Sequence, residues 1–145
     1  MSIAKAVLDM VTESKEMSHK IKNYSDEEIQ TLYVSAFQFY QQGNYTKALD
    51  LFLQLTTNCP YEPNFWKGLA STYQMQSLYD EALHAWALYA LLEPQDPYAH
   101  YHAAECLFAK SDKKESSIAL NKALELCKKD HEALINKIKL FKEFF

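Results

Sequence analysis

Aromatic side chains recur in two stretches of the chain at spacings of three, four or seven residues. Residues at these spacings lie on the same face of an α-helix, so each stretch predicts a row of rings. Aromatic rows are typical of surfaces that bind an apolar peptide, because buried rings contribute most of the binding energy at such interfaces. The two sets are Tyr33, Phe37 and Tyr40, and Tyr98, Tyr101 and Phe108.

The sequence offers little that could support catalysis. His102 and Cys106 are one helical turn apart, but two ligands do not make a zinc site. The 2 glycines are too few for a glycine-rich phosphate loop. No strand–turn frame is predicted that would hold a Ser-His-Asp arrangement. We therefore predict a protein that is not an enzyme, with no catalytic residues, no metal ligands and no cofactor.

The chain repeats itself at a constant interval. Pro60 and Pro94 are 34 positions apart, and so are Pro63 and Pro97. A period of about 34 residues is that of the tetratricopeptide repeat, a helix–turn–helix unit. We therefore predict an all-α fold with three tandem repeats. The repeats span residues 29–62, 63–96 and 97–130.

The second repeat shows the helical pattern most clearly. Trp66, Leu69, Ala70 and Tyr73 occupy positions i, i+3, i+4 and i+7, the apolar stripe of a first helix. The small Ala70 allows the paired helix to approach closely. The 2 glycines and 4 prolines also argue against a sandwich or barrel, which needs turn residues every ten residues or so.

Both flanks of the repeats are predicted to be helical. Ser25 and Glu28 form a capping box that opens a repeat domain spanning residues 25–145. At its far end, residues 131–145 are predicted to form a capping helix, because a repeat array must cover its last apolar face.

Residues 1–24 are predicted to form an N-terminal helix with a heptad-like apolar seam. This seam either pairs with a second copy of the chain or folds back on the repeats. We favour pairing, and hence a homodimer, because the seam lies outside the repeat core. The dimerisation residues are Ile3, Val7, Met10, Met17 and Ile21.

The repeat register assigns the aromatic rows to one surface. Stacked helix pairs curve, and the first helix of each pair lines the concave face. The alternative is that the flanking helices fold over this groove and make its residues ordinary core; we favour the open groove. The register places in it Tyr33, Phe37, Tyr40, Lys67, Met75, Tyr98, Tyr101, Glu105 and Phe108.

Net charge, hydropathy and cysteine content indicate which partners and which cellular compartment to expect. The net charge of -4 gives no basic surface for nucleic acid. No apolar run approaches the roughly 18 residues of a membrane span. The 3 cysteines are odd in number and widely spaced, which is typical of reduced thiols rather than a disulfide framework. With no signal-peptide core at the N-terminus, these features predict a cytoplasmic protein.

Two stretches resemble a known family. Residues 32–45, LYVSAFQFYQQGNY, resemble the first repeat of the class II chaperones of bacterial type III secretion, the SycD/LcrH family. Residues 102–107, HAAECL, are similar to the third repeat of that family. The resemblance covers the chain from about residue 25 to residue 127. The second turn departs from it, since Ser77 and Leu78 stand where the family commonly has glycine.

The resemblance implies a function. Members of this family are small, acidic, all-helical and often dimeric through the N-terminal helix. They bind hydrophobic translocator proteins in the bacterial cytoplasm and hold an extended translocator segment in the concave groove, which prevents premature aggregation or membrane insertion. By the same resemblance, Tyr45 joins Tyr33, Phe37 and Tyr40 as a groove aromatic.

A second hypothesis is a general tetratricopeptide-repeat scaffold that docks another protein or a C-terminal peptide. Repeats that clamp a carboxylate need Lys or Arg in the groove, and only Lys67 is predicted there. A third hypothesis, an enzyme with an unrecognised site, has no motif in its favour.

Overall fold

The computed structural model describes Lys5 and residues 24–145, and residues 24–145 form seven α-helices and one short 3-10 turn, with no strand among them. The helices are α1 Asp26–Gln41, α2 Tyr45–Asn58, α3 Pro63–Met75, α4 Tyr79–Leu92, α5 Pro97–Ala109, α6 Lys113–Leu126 and α7 Glu132–Lys142. The prediction of an all-α repeat fold is confirmed. Within the described residues, no helix is both long and apolar enough to cross a membrane.

Local sequence signals explain where the first helices begin. The Ser25 hydroxyl accepts a hydrogen bond from the Glu28 N–H at 3.2 Å, and the Glu28 carboxylate accepts one from the Ser25 N–H at 3.3 Å. Pro63 and Pro97 occupy the first positions of α3 and α5. A proline is well placed there because its fixed φ suits the helix and its missing N–H would be unpaired in any case.

The turns inside the three helix pairs recur at the same interval as the prolines. Gly43, Ser77 and Ser111 have φ angles of 77°, 60° and 66°, all in the left-handed region. Glycine adopts this conformation freely, whereas a residue with a side chain adopts it at a cost of about 1–2 kcal/mol. The serine at the second turn therefore keeps the backbone path that glycine gives the first turn.

Among residues 24–145, two hydrophobic clusters form the core. The larger lies among α1–α4 and one side of α5, and includes the rings of Phe52 and Trp86. The smaller lies among α5, α6 and α7. Its members are Ala104, Leu120, Ala123, Leu134 and Ile138. Helix α5 belongs to both clusters, since its Cys106 packs in the larger and its Ala104 in the smaller.

Small residues bring the two helices of each pair together. The hydroxyl of buried Ser116 donates a hydrogen bond to the Ala104 carbonyl at 2.8 Å, which joins α6 to α5. At the corresponding positions of the first two pairs the residues are alanines with no exposed surface, namely Ala36, Ala48, Ala70 and Ala82.

The last helix is shorter than the capping helix predicted for residues 131–145. Helix α7 begins at Glu132, after a 3-10 turn at Lys129–His131, and ends at Lys142. Leu134 and Ile138 are fully buried, so α7 covers the apolar face left by α6. Phe144 and Phe145 lie beyond the end of the helix and are 70% and 44% exposed.

The predicted dimerisation seam lies outside the described residues. Its members are Ile3, Val7, Met10, Met17 and Ile21. The N-terminal helix of residues 1–24 and the division from the repeat domain at residue 25 therefore stay predictions.

Candidate functional site

Helices α1 and α3, the first helices of the first two helix pairs, line a cavity of about 170 Å³, which we call the first cavity. The Phe52 ring of α2 reaches this cavity because Gly68 on α3 has no side chain. A Cβ atom at Gly68 would lie 2.2 Å from the Phe52 ring. The missing side chain thus lets the cavity extend to the larger core cluster. The lining residues are Tyr33, Phe37, Tyr40, Phe52, Asn64, Lys67, Gly68 and Ser71.

A second cavity, of about 220 Å³, lies between α3 and α5. It shares Tyr40 and Ser71 with the first cavity, so the two form one continuous groove along the first helices. Met75, 52% exposed, forms part of its wall. The lining residues are Tyr40, Ser71, Gln74, Met75, Trp86, His102 and Glu105.

A chain of hydrogen bonds fixes the polar side of the second cavity. The Trp86 indole N–H donates to Gln74 Oε1 at 3.0 Å, and the Gln74 amide donates to Glu105 Oε1 at 3.1 Å. His102 Nδ1 lies 2.6 Å from the same carboxylate oxygen. The imidazole ring also stacks on Trp86, with ring centroids 4.8 Å apart. Four side chains from three helices are therefore held in one arrangement.

A third cavity, of about 430 Å³, lies between α5 and the last helix. The Phe141 ring packs edge-on against Phe108 at 5.3 Å and against Tyr101 at 6.2 Å. Helix α7 thus partly covers two of the predicted groove aromatics and leaves them half-buried. The lining residues are Tyr101, Phe108, Lys137, Leu140, Phe141 and Phe144.

Two predicted residues lie beside the cavities rather than in their walls. The ring of Tyr45, at the start of α2, packs against Tyr40 at 5.5 Å and supports that groove aromatic from behind. Tyr98, 36% exposed, lies 6.3 Å from the rings of both His102 and His131.

Burial raises the pKa of two groove tyrosines and of the core residue Cys106. It raises the pKa of the Tyr40 hydroxyl, and nearby Tyr45 adds to the effect. Burial also raises the pKa of Tyr101, with a further contribution from the negative charge of Glu105. The same two causes raise the pKa of the Cys106 thiol to about 12. These groups are therefore uncharged at neutral pH, which suits an apolar binding surface rather than nucleophilic or acid–base chemistry.

Several residues that line the cavities are absent from the groove residues predicted from the sequence, and His102, Trp86 and Phe144 are among them. Among the sequence predictions His102 appears only as a rejected zinc ligand and Trp86 does not appear, yet both line the second cavity. The spacing of three residues between His102 and Glu105 is a usable signal, because such pairs meet on one helix face. Phe144 lies beyond the end of α7, and its place in the third cavity has no signal in the sequence.

Comparison with known sequences identifies the repeat and a group of relatives. Residues 27–58 and 63–96 match the model of the tetratricopeptide repeat family. Low calcium response locus protein H of Yersinia pestis is 33% identical over 106 residues, which are 73% of this chain and 63% of that protein. The match therefore covers less than two thirds of the length of this curated relative.

Solved structures share the fold over most of their length. SycD, the type III secretion translocator chaperone of Yersinia enterocolitica, was solved with a peptide of the translocator YopD. It matches with a TM-score of 0.79 at 31% identity, over 84% of this chain and 95% of that one. PcrH of Pseudomonas aeruginosa, solved with the chaperone binding region of PopD, matches with a TM-score of 0.79 at 27% identity, over 85% and 94% of the two chains.

Proposed function

Because this chain belongs to the tetratricopeptide-repeat family of type III secretion translocator chaperones that includes SycD, we propose that it binds a hydrophobic translocator protein. The observation that carries this proposal is the continuous groove along the first helices, with its exposed apolar side chains. Phe37 and Met75 are 48% and 52% exposed and line the first and second cavities. SycD and PcrH were solved with peptides or chaperone-binding regions of translocators.

The mechanism is the masking of apolar surface. A translocator that inserts into membranes must present apolar segments, and these aggregate in water or insert early. A groove that binds such a segment lowers the concentration of the free, aggregation-prone form by mass action. The proposed activity is non-catalytic, needs no cofactor and takes place in the bacterial cytoplasm.

We assign the contact residues by their place in the groove. Residues of the first and second cavities contact the partner segment directly, and Tyr45 holds Tyr40 in position. Tyr101 and Phe108 contact the segment through the third cavity, together with Phe144. The direct contacts are Tyr33, Phe37, Tyr40, Lys67, Met75 and Glu105, and Tyr98 contacts the segment from its place beside His102.

Co-expression with the translocators of the same type III secretion system tests the proposed function. We expect a translocator to stay soluble and to elute with the chain in one complex during size-exclusion chromatography. Expressed without the chain, the translocator should aggregate or be degraded. Equal aggregation with and without the chain would show that it does not act as the chaperone.

We further propose that the chain forms a homodimer through the apolar seam in residues 1–24. SycD has been solved in an alternative dimer, so this fold associates with itself in at least one relative. Deletion of residues 1–21 should give a monomer by light scattering that retains the helical circular dichroism of the repeats. A full-length chain that is already monomeric at high concentration would contradict this proposal.

A further inference from the structure

The second cavity has a negative charge at its polar end. Glu105 carries the one carboxylate among its described lining residues, and its side chain is 34% exposed. Both hydrogen bonds to this carboxylate, from Gln74 and His102, reach Oε1. Within the part of the chain that the structure describes, Oε2 accepts no hydrogen bond. The second oxygen is therefore available to a donor that enters the groove.

The other walls of this cavity suit the rest of a basic side chain. Tyr40 and the exposed Met75 provide an aromatic ring and a thioether, while Trp86 is 2% exposed and lies under the stacked His102 ring. Lysine and arginine bury their aliphatic stems against apolar surface while the charged head stays with a polar partner. Aromatic rings also attract the head directly, through the negative charge of their faces. A carboxylate beside the Tyr40 ring and the Met75 side chain thus matches a lysine or arginine better than an apolar or acidic residue.

The carboxylate is held in place before any partner arrives. Gln74 is fixed by the Trp86 indole, and His102 is fixed by stacking on the same indole. A side chain that is already ordered loses little conformational entropy on binding, so more of the interaction energy contributes to affinity.

A charge of the opposite sign lies along the same groove. Lys67 lines the first cavity and precedes Gln74 by seven residues on α3. Two helical turns separate such residues by roughly 10 Å along the axis. An extended peptide covers that distance in about three residues.

We propose that the groove recognises a partner segment carrying a lysine or arginine, which enters the second cavity and binds Glu105. An acidic residue about three positions away lies near Lys67, and the two charges together fix the direction of the segment. This inference rests on the proposed function, since it names the kind of segment that the groove takes.

Selection of random decapeptides by phage display on the immobilised full-length chain tests this inference. We expect the bound peptides to share a lysine or arginine at one position, flanked by apolar residues. The same selection on Glu105→Gln should lose the basic residue while keeping the apolar ones. Glu105→Asp, which restores the charge, should recover it. Glu125→Gln serves as the control, because Glu125 is a carboxylate on α6, 70% exposed and outside the three cavities.

Affinity measurements make the test quantitative. Replacing the basic residue of a selected peptide by norleucine should weaken its binding to the wild-type chain by about ten- to hundredfold, the range of a charge-assisted hydrogen bond. The same replacement should change binding to Glu105→Gln much less. Thermal melts of each variant separate this effect from a loss of folding.

The outcomes of this experiment distinguish a failure of the basic-residue inference from a failure of the proposed function. Apolar peptides with no basic preference on the wild-type chain would overturn the inference and leave the proposed function standing. A basic preference that persists in Glu105→Gln would also overturn it. Failure to enrich any peptide would count against both.

Discussion

Replacing Trp66 with alanine should lower the free energy of unfolding by about 3–5 kcal/mol. Trp66 is 4% exposed and belongs to the larger hydrophobic cluster. Its indole N–H donates a hydrogen bond to the Pro60 carbonyl at 2.8 Å, which ties α3 to the loop before it. The substitution removes a large ring from a packed region and leaves that carbonyl without its donor. Urea denaturation followed by circular dichroism measures the loss.

Two further variants define the cause of this loss. Trp66→Phe keeps an aromatic ring and removes the hydrogen bond, so it should cost less than the alanine variant. Tyr61→Ala removes a ring that is 69% exposed and should change stability by less than about 0.5 kcal/mol. A loss below about 1 kcal/mol for Trp66→Ala, the size of an ordinary substitution, would mean that the ring does not hold the repeats together.

The double variant Phe37→Ala, Tyr40→Ala should bind the partner about a thousandfold more weakly than the wild-type chain. Both rings line the first cavity, and Tyr40 also lines the second. Buried aromatic residues at interfaces contribute roughly 2 kcal/mol each, and a sum of ~4 kcal/mol corresponds to about three orders of magnitude in Kd. Isothermal titration calorimetry with the translocator that co-purifies with the wild-type chain measures the change.

Of this pair, Phe37 separates binding from folding better than Tyr40, whose ring packs against the larger hydrophobic cluster. Phe37 is 48% exposed, so its removal should lower the melting temperature only slightly. Tyr33 is left intact because its ring lies 5.2 Å from the ring of Phe65 in the larger hydrophobic cluster. Truncating Tyr33 would therefore disturb folding as well as binding. Val34→Ala is the matched control, since Val34 lies on the same helix, is 45% exposed and lies outside the three cavities.

Two results of this experiment would contradict the proposal that the partner binds in the groove. If the double variant unfolds, the two rings are part of the core, as the alternative interpretation of the sequence proposed. If it folds and keeps full affinity, the partner binds on another surface.

The fold could be predicted because its signals are local and repeated. Pro63 and Pro97 mark helix starts, and the stripe around Trp66 and Leu69 has the period of one helix face. Each of these signals can be recognised from a few neighbouring residues. Because the same signals recur at a constant interval, each repeat supports the assignment of the others. The prediction of the helical class therefore did not depend on knowing how the helices pack.

The polar arrangement of the groove depends on contacts that no local pattern contains. The side chain of Gln74 forms hydrogen bonds with Trp86, twelve residues later in the sequence, and with Glu105, 31 residues later. The partial cover over Phe108 similarly depends on Phe141, which belongs to a different helix. The repeat register places Glu105 in the groove, but its hydrogen bond to Gln74 depends on how closely α3 and α5 approach each other.

Helix α5 is shared by the two hydrophobic clusters, so it joins a larger packing unit to a smaller one. We expect the smaller unit to open more readily than the larger one, because its cluster contains few side chains and lies at one end of the array. Opening would release α6 and α7 to proteases while the larger unit stays folded. A partner segment that lies across the second and third cavities holds α3, α5 and α7 together, and so closes this route. On the proposed function, the chain and its bound translocator would then protect each other from proteases, and the chain without a translocator would be cleaved first.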